Sequence, residues 1–316
     1  MSRLFRPLAL LLALFLAGAG GAWWYVATHP GSSRREVTCY YLDPQGMYLV
    51  PVSRTLTLPG RSEAAVATVL SEVINHVPPG LAAPVPSGSV ATVGGVRDGV
   101  ARVVVRVHGL APGSGGEQLL ASAVVKSAAS VPSVKEVALA LQTDRGTPLE
   151  SEHLDLSQPL SPTDPGMENI FLGGEGQGLA VTLYFRLPGQ DYLVPLRVPL
   201  PPQYASEPLE GSLALLLAGP PPSLRGVLAP SVDPATDLRW NGLEDRTARL
   251  LWKNAPEATP SALALRALVL TLTESERLQA VRIVREGPPL AGRVGPFDLS
   301  APLPRPEAVN SAIAHP

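Results

Sequence analysis

The pattern of apolar and polar positions over residues 37–58 predicts a β-hairpin. Two runs rich in β-branched and aromatic residues, 37–42 and 48–58, flank a turn-forming sequence around Pro44. Beyond the hairpin, apolar residues recur at steps of three and four, which places them on one face of a helix. They are Val66, Val69, Leu70, Val73, Ile74 and Val77.

A second hairpin, a second helix and a last strand are predicted next. The hairpin covers residues 90–96 and 100–107 and turns at Asp98-Gly99, because Asp-Gly favours a tight turn. A helix over 117–129 and a strand over 135–141 complete the unit. The predicted order is β-β-α-β-β-α-β.

The unit is repeated. Tyr48-Leu49-Val50-Pro51 recurs as Tyr192-Leu193-Val194-Pro195, an offset of 144 positions, and residues 95–105 match 242–252 at an offset of 147. Val134 and Val137 correspond to Leu278 and Val281 at 144 again. An offset that returns to its first value indicates one architecture with a loop insertion and deletion.

The second copy is predicted from the same signals. Its last helix, over 261–273, has Thr259 as a candidate cap and Pro260 in the first turn. The other predicted elements are strands near 179–187 and 192–200, a helix near 207–218, a hairpin near 236–252 and a strand over 280–285.

We therefore predict an α+β protein with an N-terminal transmembrane helix and two tandem domains. Each domain is expected to be one mainly antiparallel sheet with two helices on one face, because a small sheet closes its core with a single apolar layer. The predicted boundaries are an anchor and short linker at 1–35, a first domain at 36–157, a Pro/Gly linker at 158–178, a second domain at 179–300 and a frayed tail at 301–316.

The N-terminus predicts a single-pass membrane anchor. Arg3 and Arg6 precede an apolar stretch over residues 8–26, long enough to cross a bilayer, and aromatic residues at its end are typical of the membrane interface. Everything after about residue 30 would then be extracytoplasmic. The alternative is a cleaved signal peptide with Ala17-Gly18-Ala19 as its exit, which would secrete the protein. The candidate anchor residues are Leu8, Phe15, Trp23, Trp24 and Tyr25.

Composition argues against several functions. The net charge of −2 gives no footprint for nucleic acid. Cys39 is the single cysteine, so no intramolecular disulfide or cysteine cluster is possible, and a buried hydrophobe is the favoured interpretation of it. Asp98 and Asp245 recur in the repeat, but both lie in predicted turns. No metal pair occurs among the histidines, which are His29, His76, His108, His153 and His315. We predict no enzyme activity, no cofactor, and no catalytic, cofactor-binding or metal residues.

The repeated motifs resemble a known family. Tyr192-Leu193-Val194-Pro195, the helix end Leu216-Leu217-Ala218-Gly219-Pro220 and Thr271-Leu272-Thr273 before Val281 are similar to GerMN domains of bacterial sporulation and germination proteins. The first copy departs from the pattern at residues 75–79, and the second has Asp245-Arg246 in place of Asp-Gly. Parts of each copy are also similar to the ring-building motif of secretion-channel proteins.

The resemblance implies an envelope-anchored assembly factor in spore formation or germination. Its partners would be other envelope or sporulation-channel proteins, in a homo- or hetero-oligomer. The alternative function is an envelope module that binds a small molecule or a cell-wall fragment.

Proline within a strand predicts where a partner could dock. It removes a donor from the strand ladder, so the strands of Pro51 and Pro195 are expected at sheet edges. The candidate interaction edges are Tyr48, Pro51, Tyr192 and Pro195, with core and edge structure as the alternative interpretation.

Overall fold

The computed structural model describes residues 31–109, 116–150, 154–170, 178–253, 260–274, 278–285 and 290–311. The predicted anchor residues Leu8, Phe15, Trp23, Trp24 and Tyr25 lie outside these ranges, and membrane anchoring stays a prediction. Within the ranges, no helix combines the length and apolar character needed to cross a membrane.

The predicted element order is found in both repeats. In the first repeat the elements are β1 (Ser33–Leu42), β2 (Leu49–Leu58), α1 (Ser62–Asn75), β3 (Val90–Arg97), β4 (Val100–Val107), α2 (Gly116–Ala129), β5 (Glu136–Thr143) and a short β6 (Pro148–Leu149). In the second they are β7 (Ala180–Arg186), β8 (Leu193–Pro199), α3 (Pro208–Ala218), β9 (Leu238–Glu244), β10 (Thr247–Trp252), α4 (Ala262–Leu272) and β11 (Ala280–Arg285). Three short strands follow: β12 (Arg293–Val294), β13 (Phe297–Asp298) and β14 (Leu303–Pro304).

The prediction of one sheet per repeat is wrong. The hairpins β1–β2 and β7–β8 are separate two-stranded sheets, and the four-stranded sheets have the orders β3-β4-β5-β6 and β14-β11-β10-β9. The pairs β4–β5 and β10–β11 are parallel, because in each repeat a helix connects the two strands, and such a crossover returns the chain in the same direction.

The helices join the two sheets of each repeat. Helix α1 contacts β1 and β3, and α2 contacts β1 and β5. A two-stranded hairpin alone is marginal in water, so packing against the helices stabilises it. One apolar core continues through both repeats, and the equivalent residues Tyr41 and Phe185 are both fully buried in it.

The two departures from the repeat pattern are accommodated differently. Asp245 and Arg246 have φ of 45° and 60°, and Asp98 and Gly99 have 53° and 85°, so the second repeat keeps the tight turn without its glycine. Helix α4 begins at Ala262 with Ser261 as its cap, so the cap prediction at Thr259 is wrong by two positions.

Candidate functional site: the junction between the repeats

One arm follows the last long strand of each repeat: residues 154–170 form the first arm and residues 290–311 the second, and both pair with that strand. Leu160, in the predicted linker, exchanges backbone hydrogen bonds of 2.9 Å each with Val137 of β5. Leu303, in the predicted tail, pairs with Val281 of β11 in the equivalent way. The prediction of a frayed tail is therefore wrong for residues 301–311.

A short motif that the sequence analysis missed builds both arms. Asp155-Leu156-Ser157-Gln158-Pro159-Leu160 recurs as Asp298-Leu299-Ser300-Ala301-Pro302-Leu303. Asp155 Oδ1 accepts hydrogen bonds from the Ser157 backbone N–H at 3.0 Å and the Ser157 hydroxyl at 2.6 Å, and Asp298 does the same with Ser300 at the same distances. These bonds hold the pKa of both carboxyls below their usual range. The recurrence of Asp-Leu-Ser-x-Pro-Leu is the signal that could have revealed the arms.

Each arm ends on a buried asparagine that joins the two hairpins. Asn310 Oδ1 accepts from the Leu193 N–H at 2.7 Å, and Asn310 Nδ2 donates to the Leu193 carbonyl at 2.8 Å and to the Pro51 carbonyl at 2.7 Å. Asn310 is only 1% exposed. Its side chain thus bonds its own repeat through Leu193 and the other repeat through Pro51.

Asn169 makes the same contacts with the repeats exchanged. Its Oδ1 accepts from the Leu49 N–H, and its Nδ2 donates to the carbonyls of Leu49 and Pro195, each at 2.8 Å. Contacts that repeat when the two partners are exchanged define a twofold, isologous type of interface, formed here within one chain.

The backbone of each arm also adds to the other repeat's hairpin. Arg197 of β8 donates its N–H to the Asn169 carbonyl at 2.8 Å, and Ser53 of β2 donates to the Asn310 carbonyl at 2.7 Å. Residues 170 and 311 form parallel bridges with the same two strands. The arms therefore occupy the strand edges reciprocally, a form of β-strand addition.

This arrangement places two of the four predicted edge residues, Pro51 and Pro195, at an internal junction. Pro51 and Pro195 lie on strands with one hairpin partner each, and their carbonyls are taken by Asn310 and Asn169. Tyr48 and Tyr192 are buried. A partner protein at these edges would have to compete with the arms, and docking there stays a prediction.

Charged groups line a cavity of about 150 Å³ at the junction. Lys126 Nζ donates to the Pro162 carbonyl at 2.8 Å and lies 5.6 Å from the centre of the Tyr40 ring. Tyr184 donates its hydroxyl to Glu274 Oε2 at 2.8 Å, and Arg305 pairs with the same oxygen at 2.7 Å. Burial lowers the pKa of Lys126 and raises that of Tyr184. Because each of these groups has a partner, the cavity is best explained as a structural network.

The other titratable candidates are not brought together. His76 and His108 are exposed and pair with Glu72 at 3.1 Å and Asp144 at 2.8 Å. Among the described residues, no group of three His, Cys, Asp or Glu side chains could hold a metal ion. Cys39 is fully buried, and burial raises the pKa of its thiol to about 12.

Two larger cavities lie in the second repeat. A groove of about 810 Å³ runs between β7, the start of α3 and β9, and Trp240, Leu243 and Arg246 line it. A second cavity of about 510 Å³ lies beside the start of α4. Leu243 is 57% exposed on β9, which is the outermost strand of its sheet in the described chain.

The fold defines the chain as a tandem α+β repeat protein whose two units exchange arms. A family model described as Sporulation and spore germination (Germane) matches residues 38–142 and 182–291. The chain belongs to this family, which confirms the resemblance inferred from the motifs.

The structural similarity extends over both repeats. The tandem GerMN domains of the sporulation protein GerM from Bacillus subtilis superpose with a TM-score of 0.60 at 19% identity, covering 89% of this chain and 100% of that one. The first GerMN domain of that protein alone matches 42% of this chain and 99% of its own length, at 21% identity and a TM-score of 0.28. No curated protein matches the chain.

Proposed function

We propose that the protein is a membrane-anchored, non-enzymatic assembly factor that acts outside the cytoplasm in sporulation or germination, through contacts with other envelope proteins. Membership of the family supports the process. The 8–26 apolar stretch supports the anchor. The proposal that the protein is not an enzyme is supported by the sequence, which contains no catalytic motif.

One observation supports protein contacts most directly: the outer edge of β9 and the groove beside it. No strand of the described chain pairs with this edge. Leu243 is mostly exposed on the same strand, and Trp240 lines the groove. An open strand edge next to an apolar groove suits a partner that adds a strand and inserts side chains. The arms occupy the edges of β2 and β8, so β9 replaces them as the favoured docking position.

Crosslinking from this edge tests the proposal. A photoreactive amino acid is placed at Leu243 of the full-length chain in its native membrane, in cells that are forming spores. Met47, which is 48% exposed on the first hairpin turn, is the matched control position. We expect a discrete crosslinked envelope protein from Leu243 and none from Met47.

A substitution at the same position tests the proposed contact in cells. Leu243→Asp should reduce spore formation or germination at normal protein level, whereas Met47→Asp should not. Normal sporulation of Leu243→Asp together with no crosslink from position 243 would refute the proposed contact.

The alternative function, an envelope module that binds a small molecule or cell-wall fragment, requires a ligand site. The 510 Å³ cavity beside α4 is the observation that favours it.

A further inference from the structure

We propose that the cavity beside the N-terminus of α4 binds a small, singly charged carboxylate ligand with an apolar body. This site goes beyond the assembly role and does not rest on it. Its volume of about 510 Å³ lies in the range of small-molecule sites. Apolar side chains form most of its wall, among them Val232, Leu238, Leu268 and Ile283.

Two buried polar groups of the cavity wall have no hydrogen-bond partner among the residues that the structure describes. They are the hydroxyl of Ser231 and the indole Nε1–H of Trp252, on residues that are 7% and 3% exposed. Buried polar atoms of native proteins are nearly always paired, so an unpaired set in one cavity calls for an explanation. A ligand that accepts hydrogen bonds would satisfy both groups.

The first repeat shows that the fold does not require these groups. At the offset of 147 positions, Ser231 corresponds to Pro84 and Trp252 to Val105. The alignment holds in the structure, because the bridge of Arg186 with Ala229 repeats that of Leu42 with Ala82. The polar atoms are thus a property of the second repeat alone.

The surrounding charges favour an anion of low charge. Helix α4 begins at the cavity, where its cap Ser261 accepts a hydrogen bond from the Ala264 N–H at 3.1 Å. The N-terminus of a helix is the positive end of its dipole, so this end favours an anion. Arg186 adds a positive charge to the wall. Asp233 also lines the cavity, and its negative charge disfavours a doubly charged phosphate more than a carboxylate.

The indole N–H of Trp252 provides a direct readout. The full-length chain, labelled with ¹⁵N-tryptophan in detergent micelles, is titrated with N-acetyl derivatives of leucine, valine and phenylalanine. The Trp252 signal is identified by its loss in Trp252→Phe. We expect saturable shifts of this signal with at least one acid, and at least tenfold weaker binding of the matching amide and of inorganic phosphate. No shift with any of the acids, or equal binding of acid and amide, would overturn the proposal.

Ser231→Ala separates a ligand role from a structural one. The substitution removes an unpartnered hydroxyl, so we expect the affinity for the acid to fall about tenfold while Tm stays unchanged or rises. Ser223, which is exposed and does not line the cavity, is the control, and Ser223→Ala should change neither quantity. An unchanged affinity with a lower Tm would show that Ser231 is structural. Failure here would leave the crosslinking result at Leu243 unaffected.

Discussion

Replacing Asn310 with alanine should destabilise the protein far more than a typical surface substitution. The side chain is 1% exposed and makes three hydrogen bonds, two to Leu193 and one to Pro51. At about 1 kcal/mol of net stability per hydrogen bond, their loss amounts to about 3 kcal/mol. The backbone groups left buried without a partner increase this, so we expect a loss of about 3–5 kcal/mol in the free energy of unfolding.

Urea unfolding of the full-length chain in detergent micelles, followed by circular dichroism, measures this loss. Asn310→Asp keeps the shape and one acceptor oxygen, but it replaces the donating Nδ2 with a second oxygen that faces the carbonyls of Leu193 and Pro51. It should therefore lower the free energy of unfolding at least as much as Asn310→Ala. Asn75 is exposed and donates its side-chain amide to the Ser71 hydroxyl at 3.2 Å, so Asn75→Ala should stay within about 0.5 kcal/mol of the original chain. A loss below about 1 kcal/mol for Asn310→Ala would refute the assignment of these bonds as a main link between the repeats.

Three further predictions concern local packing and chemistry. Gly211→Ala should lower the free energy of unfolding by about 1–3 kcal/mol, because the new Cβ would lie 2.6 Å from Tyr204 Cβ, although helices usually prefer alanine to glycine. The control in the same urea measurement is Gly226→Ala, whose new Cβ would have no atom within 4 Å. Cys39 should resist iodoacetamide at about pH 8 until the chain unfolds, as followed by mass spectrometry. Burial raises the pKa of the Cys39 thiol from 9.0 to about 12, so the folded protein holds this proton more tightly than the unfolded chain. The stability that the protonated thiol contributes is complete below pH 9.0 and is lost as the pH rises toward 12, so Tm should fall over that interval. Ser261→Ala should cost about 1 kcal/mol in the same urea assay, because α4 loses the cap that bonds its first turn, and an unchanged midpoint would contradict this.

Local patterns in the sequence predicted the secondary structure well. Val66, Val69, Leu70 and Val73 of α1 are buried as predicted, whereas Ile74 is half-buried and Val77 lies beyond the end of the helix at Asn75. Both second hairpins turn where Asp98 and Asp245 lie. These features depend on a few neighbouring residues, so a single sequence contains them. The resemblance to the family rested on such local motifs, and the family match confirms it.

The arrangement of the sheets could not be read from the same patterns. Whether a hairpin joins the main sheet depends on which of its edges the helices and the other repeat cover. The alternation of apolar and polar residues along a strand does not encode which edges are covered. The junction shows the limit clearly, since Asn310 reaches Pro51 across 259 positions of sequence. Proline at 51 and 195 suggested edge strands. Each of these strands has one hairpin partner, and the arms bridge both strands, which no local pattern predicts.

The arms were missed for a different reason. Their proline-rich composition is typical of linkers, and the repeat recognised in the sequence ends at β11. Extending it to Asp155 and Asp298 reveals six aligned positions, five of them identical, and the buried asparagines follow at 169 and 310.

The reciprocal junction is the central claim, and cutting the chain between the repeats tests it most directly. A protease recognition sequence is placed within residues 171–177 of the full-length chain, and the cleaved protein is passed over a gel-filtration column in detergent. We predict that the two halves elute together, and that they separate when Asn169→Ala and Asn310→Ala are combined. Separation of the unsubstituted halves after cleavage would contradict a junction that holds the repeats as one body.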